Sequence, residues 1–219
     1  MASAIKLPCT TLEPKMRVTR KKAAENRDRI LQAAARLIRE HGVSGVGVDA
    51  LADAAGLTYG GLYSQFGSKE ALAAEALSVA LAGNVETLER LGLAAYAEGY
   101  LSAEHRDAPG EGCVLAALGC DMPRESMLLR RRFTEGFRRL AGRVGEMLRA
   151  GSRQESDEEA FATVAALVGA VILARAVDEP ELSERILAAT RASVTRRRLG
   201  AELRREGQDD DPGLRSGAG

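Results

Sequence analysis

The residues from Thr58 to Lys69, TYGGLYSQFGSK, carry five hydroxyls, one carboxamide and one ammonium, and no carboxylate, imidazole or thiol. Lysine and tyrosine hydroxyls suit phosphate oxygens, and a glutamine can read the edge of an adenine. The two adjacent glycines, Gly60 and Gly61, fall in the first turn of a segment with helical apolar spacing, where each costs a helix about 1 kcal/mol relative to alanine. A backbone without side chains there lets the helix N-terminus and Tyr59 come close to a duplex. The helix dipole and the free N–H groups at Thr58 then favour a nearby phosphate.

The surrounding pattern positions these groups. From Lys21 to His41, Ile30, Ala34, Leu37 and Ile38 mark one helical face, and Gly42 supplies a C-terminal stop. Val48 to Ala55 reads as a second, short helix with Val48, Leu51 and Ala52 on one side, ended by Gly56. Thr58 to Gln65 is a third, opened by a threonine able to cap it. A short helix, a glycine turn and a capped short helix form the helix-turn-helix pattern, whose second helix lies in the major groove. Leu51, Leu57, Leu62 and Phe66 can fill its small core. Charge is distributed to match. The whole chain has a net charge of zero, yet Lys15 to Arg36 holds eight basic residues against Glu25 and Asp28, a surplus of six. That is the footprint expected for an anionic partner, although a solvated helix face would also account for it.

Beyond Ser68, which caps a longer helix, only helical periodicity stands out. Helices are expected at Leu91 to Leu101, Cys113 to Cys120, Arg124 to Ala150, Glu158 to Val177 and Pro180 to Leu199. HRDAPGEG, residues 105–112, reads as a break, with His105 exposed. The fold class is all-α: three small helices, then about six more. The expected divisions are a disordered arm over 1–19, a helix-turn-helix domain over 20–67, a regulatory domain over 68–200 and a flexible tail over 201–219. No apolar run approaches the ~20 residues of a bilayer span, no signal-peptide core opens the chain, and three cysteines without CxxC spacing suit a reduced, cytoplasmic setting. With two histidines and no HExxH or GxSxG motif, an enzyme has little support, and no metal or cofactor is expected.

The run ALADAAGLTYGGLYSQFGSKEAL resembles the DNA-binding signature of the TetR/AcrR-type transcriptional regulators. Leu51-Ala52, Ala55-Gly56-Leu57, Leu62-Tyr63, Phe66 and Ser68-Lys69-Glu70-Ala71-Leu72 carry the likeness, which covers roughly the N-terminal quarter. The resemblance implies that Tyr63 and Lys69 contact phosphate, that Thr58 caps and touches the DNA backbone, and that Tyr59, Gly60, Gly61, Ser64 and Gln65 lie in or beside the groove. Arg20, Lys21 and Lys22 can track the backbone or enter a minor groove, unless they form only a solvated arm. One position departs from the family. A hydroxyl residue usually opens its second helix, whereas here Gly47 does, leaving no side-chain oxygen to cap or to meet phosphate.

A single helix-turn-helix covers one half-site, so a homodimer on a pseudo-palindromic double-stranded DNA operator is expected. FATVAALVGAVILARAV is apolar on every side and is the candidate interface. It includes Phe161, Ala165, Val168, Gly169, Ile172 and Arg175, with Ile186 and Leu187 from the last helix completing a four-helix bundle; the resemblance implies the same arrangement. Arg175 is expected to pair with Asp178, Glu179 or an acid of the partner chain. A small-molecule effector would sit among Tyr96, Tyr100, Cys113, Met127, Phe133 and Phe137. Cys113 opens a helix, where the dipole favours thiolate, and some family members with this Gly-Cys opening respond to electrophiles or oxidants through that cysteine; an inert, packed cysteine is the other reading. The expected function is a ligand-responsive regulator, most naturally a repressor. An architectural or partner-regulated helix-turn-helix protein without an effector is the alternative.

Overall fold

The computed structural model describes residues 20–149 and 157–209; the expected arm over 1–19 and the last ten residues of the expected tail lie outside them. Among the described residues the chain is all-α, with nine α-helices, one 3-10 turn and no strand.

The first three helices are α1 (Arg20–His41), α2 (Val48–Ala55) and α3 (Tyr59–Phe66). Glycines end each of them. Gly42, Gly56 and Gly67 have φ of 76°, 65° and 76°, a region that costs an L-residue with a Cβ. At Gly56 the backbone N–H returns to Ala52 and Asp53 carbonyls, so the turn into α3 satisfies the end of α2. Ile30, Ala34, Ile38, Val46, Leu51, Leu62 and Phe66 are buried where the three helices meet.

The fourth helix, α4 (Lys69–Tyr100), joins this unit to the rest, capped by the Ser68 hydroxyl, which accepts from the Ala71 N–H at 3.0 Å. The separate helix expected at Leu91 to Leu101 is its second half. The two halves meet at Gly92, whose φ of 73° and ψ of 161° are not helical and are open essentially to glycine alone. The expected break at 105–112 is partly helical: α5 (Ala103–Asp107) forms because Ser102 caps it, accepting from the His105 N–H at 3.2 Å. Then follow α6 (Val114–Leu118), the 3-10 turn Met122–Arg124, α7 (Met127–Arg149), α8 (Asp157–Ala176) and α9 (Pro180–Asp209). α9 runs past the expected end at Leu199 to Asp209. The intervening Ala, Glu, Leu and Arg are strong helix formers, and they offset Gly200 and Gly207.

α4, α7, α8 and α9 pack as a bundle, with α6 wedged between α1, α4 and α8. Gly136 lets α7 approach Leu81 of α4 so closely that a Cβ would collide with the leucine's side chain. α8 turns Ala160, Thr163, Val164, Leu167, Ala170, Val171 and Ala174 inward, while Phe161 and Leu173 remain 45% and 56% exposed. Both α4 and α8 are long and apolar enough, by length and composition, to cross a membrane. The expectation that no apolar run reaches that length is therefore corrected. Alanine-rich helices that bury one face on each other reach the same apolar content without a bilayer.

Two residues expected at a chain–chain interface belong elsewhere. Leu187 is 1% exposed within the single chain, so its side chain is already spent on the core. Among the described residues Arg175 makes no ion pair with an acid; its Nε donates to the Arg106 carbonyl at 2.8 Å and its Nη2 to the His105 carbonyl at 2.9 Å. Those carbonyls end α5, where a cation is favoured.

Candidate nucleic-acid interface and the cleft behind it

Thr58 caps α3 as its position predicts, its Oγ1 accepting from the Gly61 N–H at 3.1 Å. Leu62 and Phe66 anchor the helix inward. The opposite side presents Tyr59, Gly60, Ser64 and Gln65, all exposed, with Gly61, Tyr63 and Lys69 half-buried at its edge. The Tyr59 and Tyr63 rings lie 4.8 Å apart and tilted by 38°; the Tyr63 hydroxyl hydrogen-bonds its neighbour and raises the Tyr59 phenol above its ordinary range. Tyr63 also packs its ring against the core, so one side chain braces α3 and offers a hydroxyl outward.

The two glycines separate here. A Cβ on Gly61 would sit 3.2 Å from Thr58 Oγ1, so the cap itself favours a small residue. A Cβ on Gly60 would meet nothing within 4 Å. The chain's own packing therefore places no demand for glycine at 60, and the bare backbone faces outward.

At Gly47 the N-terminus of α2 has extended φ and ψ of −71° and 157° and no side-chain cap, and a Cβ there is unobstructed. Gly47→Ser is accordingly expected to raise stability by a few tenths of a kcal/mol and to tighten DNA binding severalfold by adding a hydroxyl beside the duplex. Parallel melting curves and gel-shift titrations measure both, and unchanged DNA affinity would remove Gly47 from the interface. Lys21 and Lys22 are exposed on the first turn of α1, Lys22 lying 3.5 Å from Glu25; the side chain of Arg20 lies outside the described residues.

Arg27 is a residue the sequence reading missed. Its Nη2 donates to both Glu75 carboxylate oxygens at 2.6 and 2.8 Å, its Nη1 to the Gln65 carbonyl at 3.3 Å, and its guanidinium lies 4.4 Å from the centre of the Phe66 ring. One cation thus ties α1, the end of α3 and α4 together, where carbonyl ends and a π-face both favour it. Its partners are too distant in sequence for any local pattern to show this.

Behind this surface the second half of α4 meets α5 and α6 around a cleft of about 190 Å³, lined among others by Leu91, Tyr96, Tyr100, His105, Glu111 and Cys113. Of the expected effector residues, Tyr96, Tyr100 and Cys113 come together here. Met127 does not; it is 62% exposed at the start of α7. Phe133 and Phe137 pack against the core instead, Phe137 facing Phe161 at 5.8 Å. His105, expected to be exposed, is half-buried and structural: its Nδ1 pairs with the Tyr100 carbonyl at 2.7 Å and its Nε2 accepts the Cys113 N–H at 2.8 Å. An Nε2 that accepts leaves the proton on Nδ1, and burial lowers the imidazole's pKa, so the ring is neutral.

Cys113 is a packed residue. It does open a helix, but α6 has only five residues and the thiol is 3% exposed. Burial pushes the thiol up, ahead of the hydrogen bonds that favour thiolate. Asn84 Nδ2 donates to its Sγ at 2.9 Å.

The rim of the cleft is tied to α1. Arg39 Nε and Nη2 both donate to the Gly110 carbonyl, Nε at 2.7 Å, and Arg36 Nη1 lies 3.4 Å from Glu111. On the other side Arg106, the residue after His105, donates to Ser183 at 2.9 Å and Glu184 at 2.8 Å on α9. The segment 105–113 is thereby fastened to the first helix, to α8 through Arg175, and to α9.

Comparison with known proteins agrees with this geometry. Residues 30–76 match the family model of bacterial regulatory proteins of the tetR family. Among solved structures, E. coli NemR in its reduced form superposes with a TM-score of 0.67 at 22% identity, covering 78% of this chain and 95% of that one. A TetR transcriptional regulator from Chloroflexus aurantiacus J-10-FL gives 0.65 at 23% identity, covering 80% and 96%, and a TetR-family regulator from Cytophaga hutchinsonii gives 0.65 at 21%, covering 78% and 94%. No curated protein matches the sequence. The N-terminal match and the shared fold point to a DNA-binding transcriptional regulator, not an enzyme.

Proposed function

We propose that this chain, with a tetR-family DNA-binding domain and the fold of those regulators, acts in the cytoplasm as a homodimeric repressor on a pseudo-palindromic operator, released by a small molecule bound at the cleft. The observation that carries the DNA-binding half is the outward surface of α3: Gly60 has open space around its missing side chain, flanked by Tyr59, Ser64, Gln65 and Lys69. Lys69, Tyr63, Thr58 and the first turn of α1 would hold phosphates, and Gln65 would read a base edge.

Release requires an effector that favours one spacing of the two recognition helices over the other. α4 starts at Lys69 beside the duplex and passes Leu91, Tyr96 and Tyr100 on the cleft wall. The 105–113 segment offers a second tie, through Arg39 to α1. A noncovalent ligand fits this site better than an electrophile, because a buried thiol whose pKa is raised supplies little thiolate. If Cys113→Ser abolished release by an alkylating agent, that preference would be reversed.

Sorting of the contacts is tested by gel shift with the DNA upstream of the coding region at several salt concentrations. Lys69→Ala is expected to weaken binding about tenfold at every site and to lower the salt slope by about one. Gln65→Ala should leave the salt slope alone and relax the choice of one base. Equal effects of both changes on sequence preference would refute the assignment.

A further inference from the structure

The walls of the cleft constrain what it can hold. Three rings line it side by side: Tyr96 and Tyr100 with centroids 5.5 Å apart, and Tyr100 and His105 at 4.5 Å. Leu91 and the bare Gly99 extend this apolar wall. Most of its polar groups are already engaged. His105 uses both ring nitrogens, Thr87 Oγ1 donates to the Gly83 carbonyl at 2.9 Å, and Asn84 Nδ2 donates to Cys113 Sγ. Glu111, the only charged residue among the described lining residues, already faces Arg36. The Tyr100 hydroxyl differs. It is buried beside the Cys113 sulfur and makes no well-aligned hydrogen bond among the described residues. Burial keeps that phenol protonated, so it is a donor with nothing better than a weak sulfur acceptor.

Resting on the reading of the cleft as the effector site, we propose that it takes a small uncharged molecule that offers one hydrogen-bond acceptor to Tyr100 and an apolar, ring-sized body to Tyr96 and Leu91. An anion or a cation would enter without a counter-charge, because among the described lining residues the one carboxylate is paired and there is no cation. Size is limited too: about 190 Å³ is below the roughly 300–1,000 Å³ of sites for drug-sized ligands. A wholly apolar molecule of the same size would leave the Tyr100 hydroxyl as it is and gain nothing from it.

Four probes built on one ring separate these cases: acetophenone, ethylbenzene, benzoate and benzylamine, each titrated into the full-length protein while the amide resonances of Gly99 and Gly112 are followed. Acetophenone is expected to move both resonances and to bind at least tenfold more tightly than the other three. Tyr100→Phe should lower its affinity to that of ethylbenzene. Because the substitution removes a buried hydroxyl that has no oxygen or nitrogen acceptor, the variant should melt no lower than the parent. Benzoate or benzylamine binding as tightly as the ketone, unchanged ketone affinity in Tyr100→Phe, or a lower melting temperature for that variant would overturn the proposed ligand class while leaving the cleft as a site. Silence from all four probes also overturns that class. Probes that bind while shifting only resonances outside the cleft would instead overturn the cleft as the effector site.

Discussion

Gly60→Leu is expected to cost about a hundredfold or more in DNA affinity, equivalent to about 2.7 kcal/mol, while the free protein keeps its melting temperature. The two effects separate because the new side chain starts into open space, its Cβ meeting nothing within 4 Å, yet it projects from the first turn of the helix assigned to the groove. Gly60→Ala sharpens the contrast. It should stabilise the free protein by up to about 1 kcal/mol through helix propensity, which for a chain of this size raises Tm by about 2–4 °C, and still bind DNA more weakly. Most interface substitutions lose binding along with stability; here the signs oppose. Differential scanning calorimetry beside fluorescence-anisotropy titrations at fixed salt would show it. A Gly60→Leu protein that binds the upstream DNA like the parent would mean that α3 does not enter the groove by its first turn.

The second large effect belongs to the outer face of α8. Phe161 and Leu173 are 45% and 56% exposed, on a helix whose other face is sealed into the bundle. Half-buried Val168, Gly169 and Ile172 lie between them, and Ala165 is exposed. Large apolar side chains in that arrangement mark an association surface. Leu173→Glu, alone and with Phe161→Glu, is expected to yield a folded monomer by sedimentation velocity, with unchanged far-ultraviolet circular dichroism. DNA affinity should fall by about 10²–10⁴, because the second half-site contact is no longer an intramolecular event. The single variant is the cleaner one, since Phe161 also faces Phe137. A Leu173→Glu dimer with parental affinity would place the chain–chain contact elsewhere.

The helix-turn-helix was legible in the sequence because its information is local: a threonine cap three residues before its partner N–H, a glycine where the backbone turns left-handed, and apolar spacing within single turns. The regulatory half was less so. Arg27, Arg39 and Arg106 carry no local sign of their partners and Arg175 was expected to meet an acid, yet each is fixed by a carbonyl, a carboxylate or a hydroxyl from a distant part of the chain. Cys113 was placed correctly at a helix start, but its burial depends on α4 and α5 closing over it. For α8, apolar residues on every side hid which side faces inward, and so Leu187 and Ile186, adjacent in α9, could not be told apart: one is core, the other half-exposed.

Gly92 gives α4 the mechanics of a jointed lever. Residues 69–91 form a rigid arm about 34 Å long at 1.5 Å per residue, pivoted at a single backbone position and ending beside the duplex. By the same geometry, about 5° of play at the pivot sweeps the far end through about 3 Å, close to the difference between a formed and a lost phosphate hydrogen bond. Leu93, Tyr96, Ala97 and Tyr100 hold the upper arm in the core, and the lower arm would have to swing together with the part of α7 that Gly136 lets against Leu81. On the proposed reading, a ligand smaller than most drugs would need only that much play to disengage the protein from DNA.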